Sequence, residues 1–310
     1  MTDTTKEVFT KYEVRKTKKQ KEEFRAFVKE YAQDQGYKCM VEDAGSAKNI
    51  VIGSPQTAKV IYTAHYDTPA GVPFPNLITP KCIPLYILYQ LLICLALYTL
   101  PMIMIIYFPD LILKHTDSSF LASLMIFAGY VLLIAECYLL VAGPANKHNA
   151  NDNTSGVSVL LDLMNAMPEE RRSNVAFIFF DLEEMGLLGS QGFRKSHKDV
   201  AKSVPVINFD CVGDGKTILF ALGKKARHLE EKLTAAYRDT IDFKVDVASK
   251  GVFYPSDQKN FDLGVGVAAL NSTKRGILYT DKIHTKHDTV CNEENIDFLV
   301  EGSIRLAEII

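Results

Sequence analysis

Apolar residues follow two different patterns along this chain. In the first there is no period at all. Residues 82–109, CIPLYILYQLLICLALYTLPMIMIIYFP, contain no charged side chain; nor do residues 118–135, and after Glu136 the apolar run resumes as CYLLVAG. A bilayer-spanning helix needs about 20 mostly apolar residues, and both runs reach that length. Helices apolar on every side find no solvated face in a soluble domain of this size. The runs therefore predict two membrane spans joined by a polar link over residues 110–119, with both ends of the chain on one side. Pro84 falls near the start of the first span, where a helix tolerates it; Pro101 falls inside and is expected to kink it. Tyrosines at 86, 89, 98, 107, 130 and 138 suit an interfacial belt. Glu136 is expected at the interface, against the other helix, or protonated. A buried core hairpin or a dimerisation subdomain is the alternative.

Outside residues 82–145 the pattern is periodic. Residues 18–32 read as an amphipathic helix, and short strands follow at 37–42, 49–53 and 59–64. Residues 155–166 form a helix with Val157, Leu160, Leu161 and Met164 on one stripe. Strands are expected at 174–180, 204–209, 243–247 and 266–270. Helices are expected at 226–237 and 293–310, the latter with Asn292 as N-cap. Strands alternating with helices predict an α/β fold, a mostly parallel mixed sheet flanked by helices. The expected division is a catalytic domain of residues 1–81 and 146–310 with a helical hairpin, 82–145, inserted in it.

Bulk composition adds little and excludes some classes. The net charge of −2 over 310 residues gives no nucleic-acid signal. Six cysteines lie scattered without CxxC pairs, as in a reducing compartment. The first 25 residues are polar, with no signal-peptide core. Lys81 and Lys147 flank the hairpin on the domain side and only Lys114 lies in its link, which places the domain in the cytoplasm by the positive-inside rule.

Candidate chemistry collects where strands end. His65 and Asp67 follow one strand, Asp152 precedes a helix, Glu183 and Glu184 follow another strand, and Asp210 a third; His284, His287 and Asp288 precede the last helix. A solvated loop is the ordinary reading of an adjacent Glu–Glu pair taken alone. Open α/β sheets bind ligands beyond the carboxyl ends of their strands, so five such positions point to one rim. Histidines with carboxylates suit a borderline divalent ion, most often zinc. Two metals about 4 Å apart need a shared carboxylate, which accounts for the excess of acids.

The blocks TAHYDT, NANDNTSGVSVLLDL, IFFDLEEMGLLGSQGF, INFDCVG, YPSDQKNF and IHTKHDT resemble, in order, the co-catalytic di-zinc aminopeptidases of peptidase clan MH, the superfamily that includes glutamate carboxypeptidase and the transferrin receptor. The resemblance implies a zinc-exopeptidase fold and two Zn2+ ions. It implies His65 and Asp210 as ligands of one ion, Glu184 and His284 of the other, and Asp152 as the bridge. Asp67 would orient His65, and Asp288 would support the region of His284. Glu183 would act as general base, taking a proton from the attacking water and delivering it to the leaving amine. The family pattern selects His284 over His287. It also implies a cis peptide between Asp152 and Asn153. Two features depart from the family: Ile283 stands where some members carry a tyrosine, leaving Tyr279 or Tyr254 as substitutes, and the hairpin separates His65 from Asp152.

The expected protein is thus a membrane-anchored cytoplasmic aminopeptidase whose partners are peptides and the lipid bilayer, with no nucleic acid. Connectors flanking the hairpin are short, at most about 3.3–3.6 Å per residue, and tether the rim to the bilayer, favouring hydrophobic or membrane-associated peptides. A simple anchor, or a hairpin that assembles homo-oligomers, is the plainer role. The alternatives for activity are a carboxypeptidase or dipeptidase, a one-zinc glutaminyl cyclase, or a non-catalytic scaffold.

Overall fold

A computed structural model describes residues 2–310. They form two compact units: residues up to Ile83 together with Ala145–Ile310, and the insertion Pro84–Pro144.

The first unit is built on a nine-stranded mixed sheet. Its strands are β1 (Cys39–Ala44), β2 (Ala47–Gly53), β3 (Val60–His65), β4 (Val175–Phe180), β5 (Val206–Phe209), β6 (Thr217–Leu222), β7 (Lys244–Ala248), β8 (Gly264–Ser272) and β9 (Leu278–Tyr279). They lie in the order β1-β2-β4-β3-β5-β8-β6-β7, with β9 on β8. The centre, β4-β3-β5-β8, is parallel throughout. Strands covered on both faces read as unbroken apolar runs, and VIYTAH, VAFIFF and VINF are buried at every position.

Side chains alternate between the two faces of a strand. Phe177 and Phe179 of β4 therefore enter the larger core, with Phe24, Leu160, Tyr62 and Leu299. Ala176, Ile178 and Phe180 enter a smaller one with Phe193, Val200 and Phe261. Helices α2 (Lys18–Asp34), α5 (Gly156–Ala166) and α9 (Glu293–Ile309) cover the larger core, with α1 (Asp3–Lys11) and α8 (Glu230–Ala236). Helices α6 (Leu188–Ser196) and α7 (Lys198–Ser203) cover the smaller.

The parallel register aligns the strand exits. His65 pairs with Phe180, Thr63 with Asn208, and Phe209 with Val267. Every candidate residue that follows β3, β4 or β5 thus leaves the sheet at one edge.

Several expectations change. Strands β6 and β9 and helices α1, α6 and α7 are additional elements. The helix expected at 226–237 begins as a tight 3-10 turn, Lys224–Leu229, before α8. Asn292 sits at the N-terminus of α9 but its side chain makes no capping bond; its backbone N–H donates to Gly213 O instead.

The insertion consists of α3 (Ile83–Thr116) and α4 (Ser119–Ala142), both long and apolar enough to cross a membrane. The polar link is far shorter than residues 110–119: α3 continues through Pro101 and Pro109 to Thr116. Asp110 and Lys114, an i,i+4 pair 3.7 Å apart, lie within it, leaving Asp117 and Ser118 as the turn. Ser118 Oγ then caps α4 by accepting from Leu121 N. The two helices pack tightly at Gly129, where a Cβ would stand 2.7 Å from Ile105 and 3.1 Å from Pro101 O.

One buried ion pair fixes the exit of β4. Lys21 Nζ of α2 lies 2.7 Å from Asp181 Oδ1, with both side chains almost wholly buried. Asp181 also accepts from the N–H groups of Lys48 and Leu182. Removing one partner of such a pair leaves an uncompensated charge. Lys21→Met is expected to lower unfolding stability by about 3–5 kcal/mol in a denaturant titration. A loss below about 1 kcal/mol, the range of an exposed pair, would show that backbone donors alone satisfy Asp181.

Candidate functional site

The site lies at the common exit of β3, β4 and β5. His65 ends β3, and its ring is fixed from behind: Nδ1 lies 3.2 Å from Asp67 O and 3.5 Å from Asp67 Oδ1. Its other nitrogen, Nε2, faces Asp152 Oδ1 at 3.2 Å and Asp210 Oδ1 at 3.7 Å. The second oxygen of Asp152 lies 2.9 Å from Nε2 of His284, and His284 Nε2 lies 3.4 Å from Glu184 Oε1. Asp152 thus presents one oxygen to each imidazole.

Each position has a local cause. After β4, Leu182 adopts a positive φ of 56°, and the chain turns so that Glu183 and Glu184 point their N–H groups at Asp67. Its Oδ1 accepts from Glu183 N at 2.9 Å and its Oδ2 from Glu184 N at 3.3 Å. Asp152 precedes α5 in an irregular turn, and the Asp152–Asn153 peptide is cis, as the resemblance implies. The Asn153 side chain ties this turn to the end of β5, donating to Phe209 O and accepting from Gly156 N and Cys211 N. Gly156 is required there, because a Cβ would stand 2.4 Å from Phe209 O. Asp288 accepts from Asn151 N at 2.8 Å and Asp152 N at 3.0 Å, so it braces the Asp152 turn rather than the His284 side chain. Tyr254 donates to Asp210 O. His287 joins no metal-competent group among the described residues.

Three groups of donor atoms are close enough to share an ion: His65 with Asp152 and Asp210, Asp152 with Glu184 and His284, and His65 with Glu183 and Glu184. Asp152 belongs to the first two. Imidazole nitrogens with carboxylate oxygens are the donors zinc takes. Glu184 Oε1 is buried without a hydrogen-bond partner, a costly state that a cation would relieve. The residues fit a pair of divalent ions.

Without an ion, protons neutralise this crowd. Loss of solvent pushes the Glu183 carboxyl well above its ordinary range; the His65 charge opposes this and those of Glu184 and Asp210 add to it. Burial also pushes Glu184 up to about 8 against the pull of His284. Burial disfavours the His284 cation, but Glu184 and Asp152 more than offset it and raise the group to about 9. Asp152 moves down: burial opposes this, but contacts with His284 and His65 dominate.

Sequence reading missed two participants. Asp257, in YPSDQKNF, is fully buried; Ser190 Oγ donates to its Oδ1 at 2.5 Å, while its Oδ2 has no partner. Burial pushes it up to about 7. Its block carried the only available signal. Arg15 lies in the polar, charged N-terminal segment, which carries no sign of burial, yet it is buried at the site.

A sheet of this order with two imidazole–carboxylate groups sharing one aspartate has the form of a metallohydrolase. Residues 115–299 match the model of peptidase family M28. This is more than half of the chain, and the chain belongs to that family. His65 and Asp67 lie before the matched stretch. Among solved structures, the LapA aminopeptidase of Legionella pneumophila is similar with a TM-score of 0.58 at 15% identity, covering 98% of this chain and 69% of that one. A glutaminyl cyclase of Porphyromonas gingivalis is similar with a TM-score of 0.59 at 14% identity, covering 99% and 95%. A Bacteroides thetaiotaomicron glutaminyl cyclase bound to N-acetylhistamine has a TM-score of 0.57 at 15% identity, covering 98% and 94%. At these identities the likeness is one of fold. No curated protein matches the sequence.

The raised groups define a pH dependence. Glu184, Asp257, Asp288 (pushed to about 7 by burial) and His284 all bind a proton more tightly in the folded chain than in the unfolded one. Stability from the carboxyls is lost as pH climbs from their ordinary values near 4 toward 7–8, and that from His284 between 6.5 and about 9. Metal-free protein is therefore expected to melt at a lower temperature at pH 9 than at pH 6. Ions that replace these protons should raise Tm more at pH 8 than at pH 6. A metal-free Tm that is flat or rising from pH 6 to 9 would contradict this electrostatic account.

Proposed function

We propose that this chain is a membrane-anchored di-zinc exopeptidase that removes N-terminal residues from peptides. The observation that carries the reading is Asp152, whose two oxygens face two separate imidazoles, each with a further carboxylate. His65, Asp152 and Asp210 would hold one ion, and Asp152, Glu184 and His284 the other. Two zinc ions, when bound, supply Lewis acidity that polarises the scissile carbonyl and acidifies water. Asp67 orients His65 and holds the backbone of the Glu183–Glu184 turn, so ligand and base are set by one carboxylate. Glu183 takes a proton from the attacking water as the C–O bond forms. It returns that proton to the amine nitrogen as the C–N bond breaks. An enclosure that raises its proton affinity suits a group with both tasks near neutral pH. Tyr254, committed to Asp210 O, is the less suitable of the two tyrosines for an oxyanion; Tyr279 is half-buried.

The apolar helices α3 and α4 support anchoring, and Lys81 and Lys147 support a cytoplasmic domain. The short connectors favour hydrophobic or membrane-associated peptides as substrates. A second reading, glutaminyl cyclisation, is favoured by the cyclases among the similar structures. That reaction needs one zinc, whereas His65 completes a second donor group here.

Elemental analysis of protein purified without chelator should find two zinc ions per chain; about one, unchanged on adding zinc, would favour the cyclase. Glu183→Gln should lower kcat about 100- to 10,000-fold while keeping its metal. Near-normal turnover would remove Glu183 from the reaction. In a peptide pair, the free-amine, C-amidated member should be cleaved and its N-acetylated, C-free counterpart spared. The reverse would make the protein a carboxypeptidase.

A further inference from the structure

Among the described residues, Arg15 is one of the largest side chains with no solvent exposure. Buried cations are ordinarily paired with carboxylates, but no carboxylate lies within ion-pair distance of this one among the described residues. Its donors go elsewhere. Nε donates to Tyr66 O; both terminal nitrogens donate to Thr154 Oγ1, at 3.2 and 3.3 Å; Nη1 also reaches the carbonyls of Tyr12 and Glu13. The backbone N–H of Arg15 donates to Thr68 Oγ1 at 2.8 Å. The guanidinium lies over the Phe24 ring, 5.2 Å from its centroid.

The positions of these acceptors give the arrangement its meaning. Tyr66 stands between His65 and Asp67, and Thr154 follows Asp152 by two residues. These two loops come from opposite sides of the hairpin insertion in sequence, and a single planar fork grips both. Tyr66 is held at its far end as well: its hydroxyl accepts from Arg25 and donates to Lys48 O. The segment that presents Arg15 is itself pinned to the domain. Thr5 Oγ1 donates to Asp162, and Glu13 accepts from Asn149 N.

We propose that Arg15 is a positioning residue of the metal centre, which staples the His65–Asp67 loop to the Asp152 turn and so sets the distance between them. The N-terminal segment, outside the stretch matched by the family model, is then part of the active site. This rests on the metal-site reading above. The residue acts through backbone and hydroxyl contacts and touches neither ion nor substrate. Outer partners that hold metal ligands in place govern affinity through preorganisation, and their loss typically weakens binding about 10- to 100-fold.

The decisive variant is Arg15→Lys, which keeps the buried positive charge and removes the planar fork. Zinc affinity is measured by chelator competition on the full chain in detergent, well below the melting temperature. Wild-type protein should bind zinc, and Arg15→Lys should bind it about 10- to 100-fold more weakly while still folded by circular dichroism. A purely structural role would lower Tm and leave affinity unchanged. Thr154→Val, which removes only the hydroxyl acceptor, should weaken binding roughly 2- to 10-fold and decides the matter if Arg15→Lys does not fold. The Arg15→Lys/Thr154→Val double variant should lose less than the sum of the two, since both break the same contact. Wild-type protein that takes up no zinc overturns the metal-site reading and this inference with it. Wild-type uptake with unchanged affinity in Arg15→Lys, or in Thr154→Val where that variant decides, overturns the inference alone.

Discussion

The carboxylate of Asp67 faces two backbone N–H groups and an imidazole nitrogen at once. Its oxygens accept from the backbone of Glu183 and Glu184, and Oδ1 lies beside Nδ1 of His65. Everything chemical in the site hangs on this contact. The parallel pairing of β3 and β4 brings the two strand ends side by side, but pairing alone leaves the following loops free. Asp67, two residues past one strand, reaches the turn three and four residues past the other. The candidate ligand His65 at the end of β3 and the Glu183–Glu184 turn after β4 are thereby fixed to one another. Any replacement that removes the negative charge of Asp67 loosens both.

The site gathers carboxylates that repel one another, and the fold tolerates this by two means. Histidines and protons balance the charge in the metal-free chain, with Glu184 and His284 shifted far enough to share it near neutral pH. Backbone N–H groups at 151, 152, 183 and 184 supply the remaining stabilisation, through Asp288 and Asp67. Groups so arranged are compatible with a multivalent cation, and replacing several protons with ions would couple metal uptake to stability.

Much of this was legible in the sequence for physical reasons. Strands β3, β4 and β5 are buried on both faces and so read as unbroken apolar runs, and the chemistry falls at their ends. Helices α6 and α7 were not legible. Gly189 and Gly192 weaken the helical signal of α6, yet packing demands them: a Cβ at 189 would stand 2.3 Å from Asp181 O, and one at 192 would stand 2.5 Å from the Cβ of Ala44. The hairpin link looked long because charged residues ended the apolar run, whereas the helix continued through an ion pair. Arg15 and Asp257 owe their burial to partners distant in the chain; no local pattern distinguishes Arg15 from a surface charge, and only the block YPSDQKNF marks Asp257.

In the proposed site a shared aspartate, Asp152, would organise two ion sites beside the Glu183–Glu184 turn. Anomalous diffraction at the zinc edge, from crystals of the zinc-loaded full chain, tests this arrangement most directly. Two peaks are predicted, one among His65, Asp152 and Asp210 and the other among Asp152, Glu184 and His284, with Asp152 touching both. A single peak, or two peaks without Asp152 between them, would contradict the account.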